Sequence, residues 1–115
     1  MIDEGYSAYF DIIICSEVIE HIADDRKVAF LNELKRLLKE NGFLILTTPR
    51  KDAEAEWKRY GDPKQPIENW LFEDELAKLL SETGFQTHLL KRLSMSPLKK
   101  APKIEIYQLW LAQKI

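Results

Sequence analysis

The sequence has little cysteine, little net charge and no long apolar run. One cysteine in 115 residues cannot form an internal disulfide, which is typical of a reducing compartment. A formal charge of −2 excludes a general electrostatic attraction to nucleic acid or to an anionic membrane. No stretch reaches the roughly 18 apolar residues of a membrane span, and the N-terminus does not have the pattern of a secretion signal. We therefore expect a cytoplasmic protein with no membrane partner.

The first half of the chain has the pattern of a strand, a helix and a second strand. The apolar run FDIIIC, residues 10–15, predicts a strand of a parallel sheet that is covered on both faces. Apolar residues then recur at helical spacing over residues 28–38, and we interpret Asn41-Gly42 as a left-handed helix cap rather than a hairpin turn. FLILTTP, residues 43–49, predicts a second buried strand closed by its proline. The pattern predicts a right-handed βαβ unit, whose ligand sites lie beyond the carboxyl ends of the strands.

The second half of the chain predicts two helices and a final pair of strands. KDAEAEWKRY, residues 51–60, favours a short helix before the turn-rich GDPKQP, residues 61–66. Residues 72–81 predict a helix with acidic residues in its first turn and Gly84 as its stop. FQTHLLKRL and KIEIYQLWLAQK alternate and predict an antiparallel pair.

The run at residues 10–15 needs a neighbouring strand on each side, and the pattern supplies one. An unpaired strand edge with apolar side chains favours association. We expect the chain to pair with a second copy, as a homo-oligomer, with another subunit, or with a complementing N-terminal half.

Three segments in this order, FDIIICSEVIEHI, FLNELKRLLKENGFLILTTP and WLFEDELAKLLSETGF, resemble the C-terminal half of the class I S-adenosylmethionine-dependent methyltransferases. The resemblance covers nearly the whole chain from Tyr9 onward and depends on the order of the segments. It implies an α/β, Rossmann-like sheet in the order strand-helix-strand-helix-strand-strand, with the last strand antiparallel. Residues 1–115 would then be one partial domain, and residues 50–71 its variable substrate cover.

The resemblance also implies S-adenosylmethionine as the cofactor. The family's glycine-rich loop and the acidic residue that holds the ribose are not found in this sequence. We therefore expect cofactor binding together with a complementing N-terminal half.

Two carboxylates and an imidazole follow the first predicted strand. Glu17, Glu20 and His21 can share one face if the chain turns at once into a helix, and such a set suits a divalent metal ion or a catalytic base. The motif Glu-x-x-Glu-His resembles the metal motif of methyltransferases of small-RNA 3′ ends and of ubiquinone synthesis. In the RNA group a further histidine completes the site, and Glu68 stands at that position here. Two alternatives are that Cys15, Ser16 and Glu17 line the methionine end of the cofactor, and that the loop is purely structural.

Pro49, Trp57 and Trp70 are the candidate substrate contacts. The aromatic side chains between residues 57 and 72 could stack on a planar acceptor or on a base, or could cap the core. A modest basic cluster at residues 91–103 could contact phosphates or form a solvated loop. We expect methyl transfer to a small molecule or an RNA hydroxyl. The alternative is a non-catalytic, methyltransferase-like half domain that acts as an oligomerisation or partner-binding module.

Overall fold

A computed structural model describes residues 7–61 and 68–115 of the chain. Its strands are β1 (Phe10–Ser16), β2 (Leu38–Pro49), β3 (Phe85–Met95) and β4 (Ile104–Lys114). Its helices are α1 (Lys27–Leu37), α2 (Glu54–Lys58) and α3 (Glu73–Glu82), with single 3-10 turns at Ile19–His21, Asp24–Arg26 and Lys51–Ala53. The predicted loop at residues 61–66 lies, apart from its first residue, outside the described residues. Within the described ranges, no helix is long and apolar enough to cross a membrane.

The four strands form one sheet in the order β1-β2-β4-β3. β1 and β2 are parallel and are joined through α1, as the strand-helix-strand pattern predicts. β4 is antiparallel to both of its neighbours, β2 and β3. The mixed α/β architecture and the antiparallel final pair are therefore confirmed.

The main core lies between the sheet and the helices α1 and α3. Side chains from β1, β2 and β4 that share one face of the sheet are buried with helix residues, namely Cys15, Leu44, Leu46, Trp110, Ala112, Leu31, Leu76 and Leu80. The Glu75 carboxylate accepts a hydrogen bond from the Phe72 backbone N–H at 3.0 Å and so caps the start of α3. Gly84, with φ of 90°, follows the end of α3 and confirms the predicted stop.

The predicted end of the first helix is wrong. α1 ends at Leu37, because Leu38 is extended, with φ of −80° and ψ of 142°, and pairs with Phe10 of β1. Asn41 does have a positive φ, 64°, but it lies in the irregular start of β2. A Cβ at Gly42 would approach the carbonyl oxygen of Asp11 to 3.0 Å, so this glycine permits a close approach of two strands rather than a helix cap.

Within the described residues the first strand is covered on one face and has one neighbouring strand, which leaves the unpaired apolar edge that the sequence predicts. β1 is an edge strand, and although Cys15 is buried, Ile14 is 71% exposed. We call the side of the sheet away from α1 and α3 the open face. Its central row crosses all four strands through the pairs Ile14–Ile45, Ile45–Leu111 and Leu111–Leu89.

Candidate active site

The candidate site lies at the carboxyl ends of β1 and β2. These ends are adjacent, since Ser16 pairs with Thr47 and their hydroxyl oxygens are 2.9 Å apart. The Glu17 backbone N–H donates to the Thr47 carbonyl at 2.9 Å and holds the exit of β1 against β2. The polar segments that follow β1 and β2 therefore leave the sheet side by side.

Glu17 has an unusual backbone and an unusual side-chain environment. Its φ of 56° lies in the left-handed region, which is uncommon for a residue other than glycine and is often found at functional sites. The carboxylate accepts hydrogen bonds from the Tyr107 and Thr47 hydroxyls, while Oε2 is buried without a hydrogen-bond partner. Burial, and after it the charge of Glu20, raises the pKa of Glu17 to about 7. Near neutral pH this carboxyl therefore occurs in both protonation states.

Glu20 is the most deeply buried carboxylate of the site. Its side chain is 3% exposed, and Oε1 accepts a hydrogen bond from the Thr48 hydroxyl at 2.9 Å. Burial raises the pKa of Glu20 above its ordinary value. Hydrogen bonds, including the one from Thr48, offset part of this rise. The Glu20 carbonyl accepts from the Asn69 backbone N–H at 2.8 Å, which brings the segment before α3 to the crevice.

His21 joins this group to Glu68. Its Nε2 is 3.7 Å from Glu20 Oε2, and its Nδ1 is 3.2 Å from Glu68 Oε2. The other Glu68 oxygen accepts from the Trp70 indole N–H at 2.7 Å. The structure thus brings Glu20, His21 and Glu68 together, while the Glu17 carboxylate contacts Tyr107 and Thr47. Even so, within residues 7–61 and 68–115 no three His, Cys, Asp or Glu side chains are arranged to hold a metal ion, and the metal remains a prediction.

The remaining predicted residues have different surroundings. The Cys15 thiol is buried in the main core, and burial, followed by the charge of Glu20, raises its pKa to about 11, so a cofactor contact would come from its backbone. Trp70 is 5% exposed and packs with Ala53, Ile104 and Ile106, and Trp57 lies half-buried against the same cluster. This is the core-capping arrangement for both tryptophans. Pro49 is buried, and its carbonyl accepts from Gln108 Nε2 at 3.2 Å.

Three side chains that hold the carboxylates were not predicted from the sequence, namely Thr47, Thr48 and Tyr107. Thr47 and Thr48 were expected to end a strand and to border the acceptor site through their backbone, and Tyr107 was assigned only to the alternating pattern of the last strand. Tyr107 reaches Glu17 because it pairs with Pro49 across β2 and β4, a contact between residues far apart in the sequence. Alternation marked Tyr107 as facing the other way from Ile106, but it gave no information about the partner strand.

Comparison with known proteins identifies the family. Residues 3–90 match the family model described as a methyltransferase domain, and the chain belongs to this family. The four-stranded sheet and its helices correspond to a part of the methyltransferase Rossmann-like fold. Its TM-score is 0.75 against a SAM-dependent methyltransferase from Methanosarcina mazei, at 20% identity, covering 96% of this chain and 61% of that one.

Two curated relatives are ubiquinone biosynthesis O-methyltransferases. The protein from Glaesserella parasuis is 30% identical over 101 residues, which is 79% of this chain and 42% of the relative. The protein from Thiobacillus denitrificans is 26% identical over 106 residues, which is 84% of this chain and 45% of the relative. The chain thus spans less than half the length of these relatives.

Proposed function

We propose that this chain supplies the acceptor side of an S-adenosylmethionine-dependent methyltransferase and takes part in methyl transfer to a hydroxyl oxygen. The family and the fold support methyl transfer as the reaction class. The observation that carries the proposal is Glu17, whose carboxyl stands at the crevice with a buried, unpartnered oxygen and a pKa of about 7. A carboxyl in this state can both accept a hydrogen bond from a hydroxyl and take up its proton.

In the proposed reaction the Glu17 side chain would rotate to expose Oε2, which is buried in this structure, and would accept a hydrogen bond and then the proton from the acceptor hydroxyl as the methyl group is transferred to the acceptor oxygen. Tyr107 and Thr47 hold the carboxylate through its hydrogen bonds, so that the acceptor is positioned as well as deprotonated. When bound, S-adenosylmethionine supplies the electrophilic methyl group. The carboxylate charge of Glu17 fits a cofactor with a cationic methionine end, which Ser16 and Glu17 would border, whereas Glu68 Oε2 already lies 3.2 Å from His21 Nδ1.

A small-molecule acceptor is favoured over RNA. The two curated relatives are named for O-methylation in ubiquinone biosynthesis. Arg92, in the basic cluster, is engaged with the Glu73 carboxylate through hydrogen bonds of 2.8 and 3.0 Å, which competes with a phosphate contact. The acceptor we propose is therefore a small hydroxylated molecule.

A divalent ion is a further element of the proposal. Glu20, His21 and Glu68 are the residues that would hold it once the His21–Glu20 and His21–Glu68 pairs open, because among the described residues no three such side chains are arranged around an ion. Glu20→Ala and Glu68→Ala should each abolish binding of Mn²⁺ in an isothermal titration, whereas the exposed Glu56→Gln should not. Mn²⁺ binding that survives the Glu20 and Glu68 substitutions would contradict the assignment.

A chimeric enzyme tests the proposed function. Residues 7–115 replace the matching region of the Glaesserella parasuis relative, and transfer of a labelled methyl group to that enzyme's own acceptor is measured. We expect measurable activity, a loss of at least about 100-fold in kcat with Glu17→Gln, and no loss with Glu56→Gln. If the chimera folds and binds the cofactor but its kcat is unchanged by Glu17→Gln, the role of Glu17 is refuted.

The alternative function, a non-catalytic half domain, is favoured by a separate observation. β1 lies at the edge of the sheet with Ile12 56% and Ile14 71% exposed. Association through a complementing half or another copy would cover this surface. A folded chimera with neither activity nor cofactor binding would support this second function.

A further inference from the structure

A cavity of about 330 Å³ lies between the start of α1, the 3-10 turn after β2 and the helix α3. Its deep side chains are Lys27 and Trp70, which are 2% and 5% exposed, together with the half-buried Leu71 and Leu79. This volume falls at the lower end of the range for small-molecule sites. The proposed methyl transfer gives the cavity no role.

Lys27 brings a nearly fully buried ammonium group to this cavity. Its Nζ donates to the Ile22 carbonyl at 2.6 Å and to Asp24 Oδ1 at 2.7 Å. An ammonium group has three N–H donors, so acceptors among the described residues account for two of them. A buried charged donor without an acceptor costs free energy, and one acceptor atom from a ligand in the cavity would complete the set.

The charges around the cavity favour an anionic ligand. The rim consists of the exposed residues Asp24, Lys51 and Glu75. The Asp24 side chain is 71% exposed and already accepts from Lys27, and Glu75 Oε1 is engaged with the backbone N–H that it caps. Exposed charges are screened by water and salt, whereas the buried ammonium acts at short range in a medium of lower dielectric constant. Lys27 therefore outweighs the two exposed carboxylates, and Lys51 adds a second positive charge at the rim.

We propose that this cavity binds a small organic carboxylate with an apolar body. One carboxylate oxygen accepts the remaining N–H of Lys27, and the apolar body lies against Trp70, Leu71 and Leu79. The Trp70 indole N–H donates to Glu68 at 2.7 Å, so the ligand contacts a side chain that also holds a residue of the candidate active site. The proposal does not rest on methyl transfer, because binding to the cavity is measured without any reaction.

Titration of the 115-residue chain with sodium phenylacetate, followed by NMR chemical shifts, tests the proposal. A probe of this size should bind with a Kd of about 1–10 mM and should shift the signals of the Trp70 indole N–H and the Leu79 amide. Phenylacetamide has the same shape without the charge and should bind about five- to tenfold more weakly, because hydrogen bonds between charged groups are the stronger ones. Lys27→Met should weaken phenylacetate binding at least about tenfold.

Lys78→Met is the matched control, because Lys78 is 77% exposed on α3 and its loss makes the same change in net charge. It should leave the Kd of phenylacetate unchanged. If Lys27→Met does not fold by circular dichroism, Leu79→Trp replaces it, since the larger side chain fills the cavity and should abolish the shifts. The comparison of the two probes needs no variant at all. The proposal is overturned if about 50 mM phenylacetate causes no shift at Trp70 and Leu79, if the two probes bind equally well, or if Lys27→Met binds phenylacetate as the unmodified chain does.

Discussion

Replacing Glu17 by glutamine should alter how the stability of the fold depends on pH. The substitution keeps an oxygen that accepts hydrogen bonds from Tyr107 and Thr47 but removes the titratable proton. The carboxyl has an ordinary pKa of 4.5 and a folded-state pKa of about 7, which burial and the charge of Glu20 produce. Folding therefore favours the protonated form of Glu17.

The sign and the magnitude follow from this difference. Because the folded pKa is the higher one, the stabilising contribution is fully present below about pH 4.5 and is lost as the pH rises through about 7. For a fully buried carboxyl the loss would be about 3 kcal/mol, and screening by water at this half-buried one reduces it to about 1–2 kcal/mol. Glu20 also lowers the stability of the fold as the pH rises, since its pKa is raised as well.

Urea denaturation at pH 4 and at pH 8 measures the effect. Glu17→Gln should be as stable as the unmodified chain at pH 4 and more stable by about 1–2 kcal/mol at pH 8. Glu56→Gln removes a carboxylate from an exposed position in α2 and controls for the change in net charge. If Glu17→Gln differed from the unmodified chain by the same free energy of unfolding at pH 4 and at pH 8, the assigned environment of Glu17 would be refuted. The same pH dependence in Glu56→Gln would also refute it.

Three further substitutions test the packing and hydrogen bonding around the site by urea denaturation. Leu44→Ala leaves a cavity in the fully buried main core and should cost about 2–4 kcal/mol, whereas the exposed Val28→Ala should cost less than about 0.5 kcal/mol. Thr48→Val removes the hydroxyl that donates to Glu20 and should cost about 1–3 kcal/mol at pH 8, with a smaller loss at pH 4, because a protonated carboxyl needs the donor less. Gln108→Leu leaves two backbone carbonyls without their side-chain donor and should cost about 2–3 kcal/mol, and a neutral result would show that water replaces the donor.

The order of helices and strands was predictable from the sequence because it depends on local patterns. The isoleucines of β1, the helical spacing in α1 and the proline that closes β2 are each visible within a few residues. The end of α1 was not predictable in this way, since Leu37 and Leu38 both continue the helical spacing. Its position depends on the pairing of Leu38 with Phe10, which competes with one more helical turn.

The candidate site was predictable in part for the same reason. Glu17, Glu20 and His21 are close in sequence, and Glu20 and His21 stand together on the 3-10 turn that follows β1. Tyr107 and Thr48 join them only through the pairing of β2 with β4 and through the position of a buried carboxylate. The left-handed backbone of Glu17 has no signal at all in the sequence, because it occurs at a residue type that avoids this conformation.

The strand order has a consequence for how the chain folds as it is made. β4 lies between β2 and β3, although it follows both of them in the sequence. Until residues 104–114 have left the ribosome, β3 lacks the one described strand with which it pairs, and Trp110 cannot close the core beneath α3. The parallel unit of β1, α1 and β2 can form early, but the sheet as a whole must wait for its central antiparallel strand, and the nascent chain exposes the apolar surface of α3 during that interval.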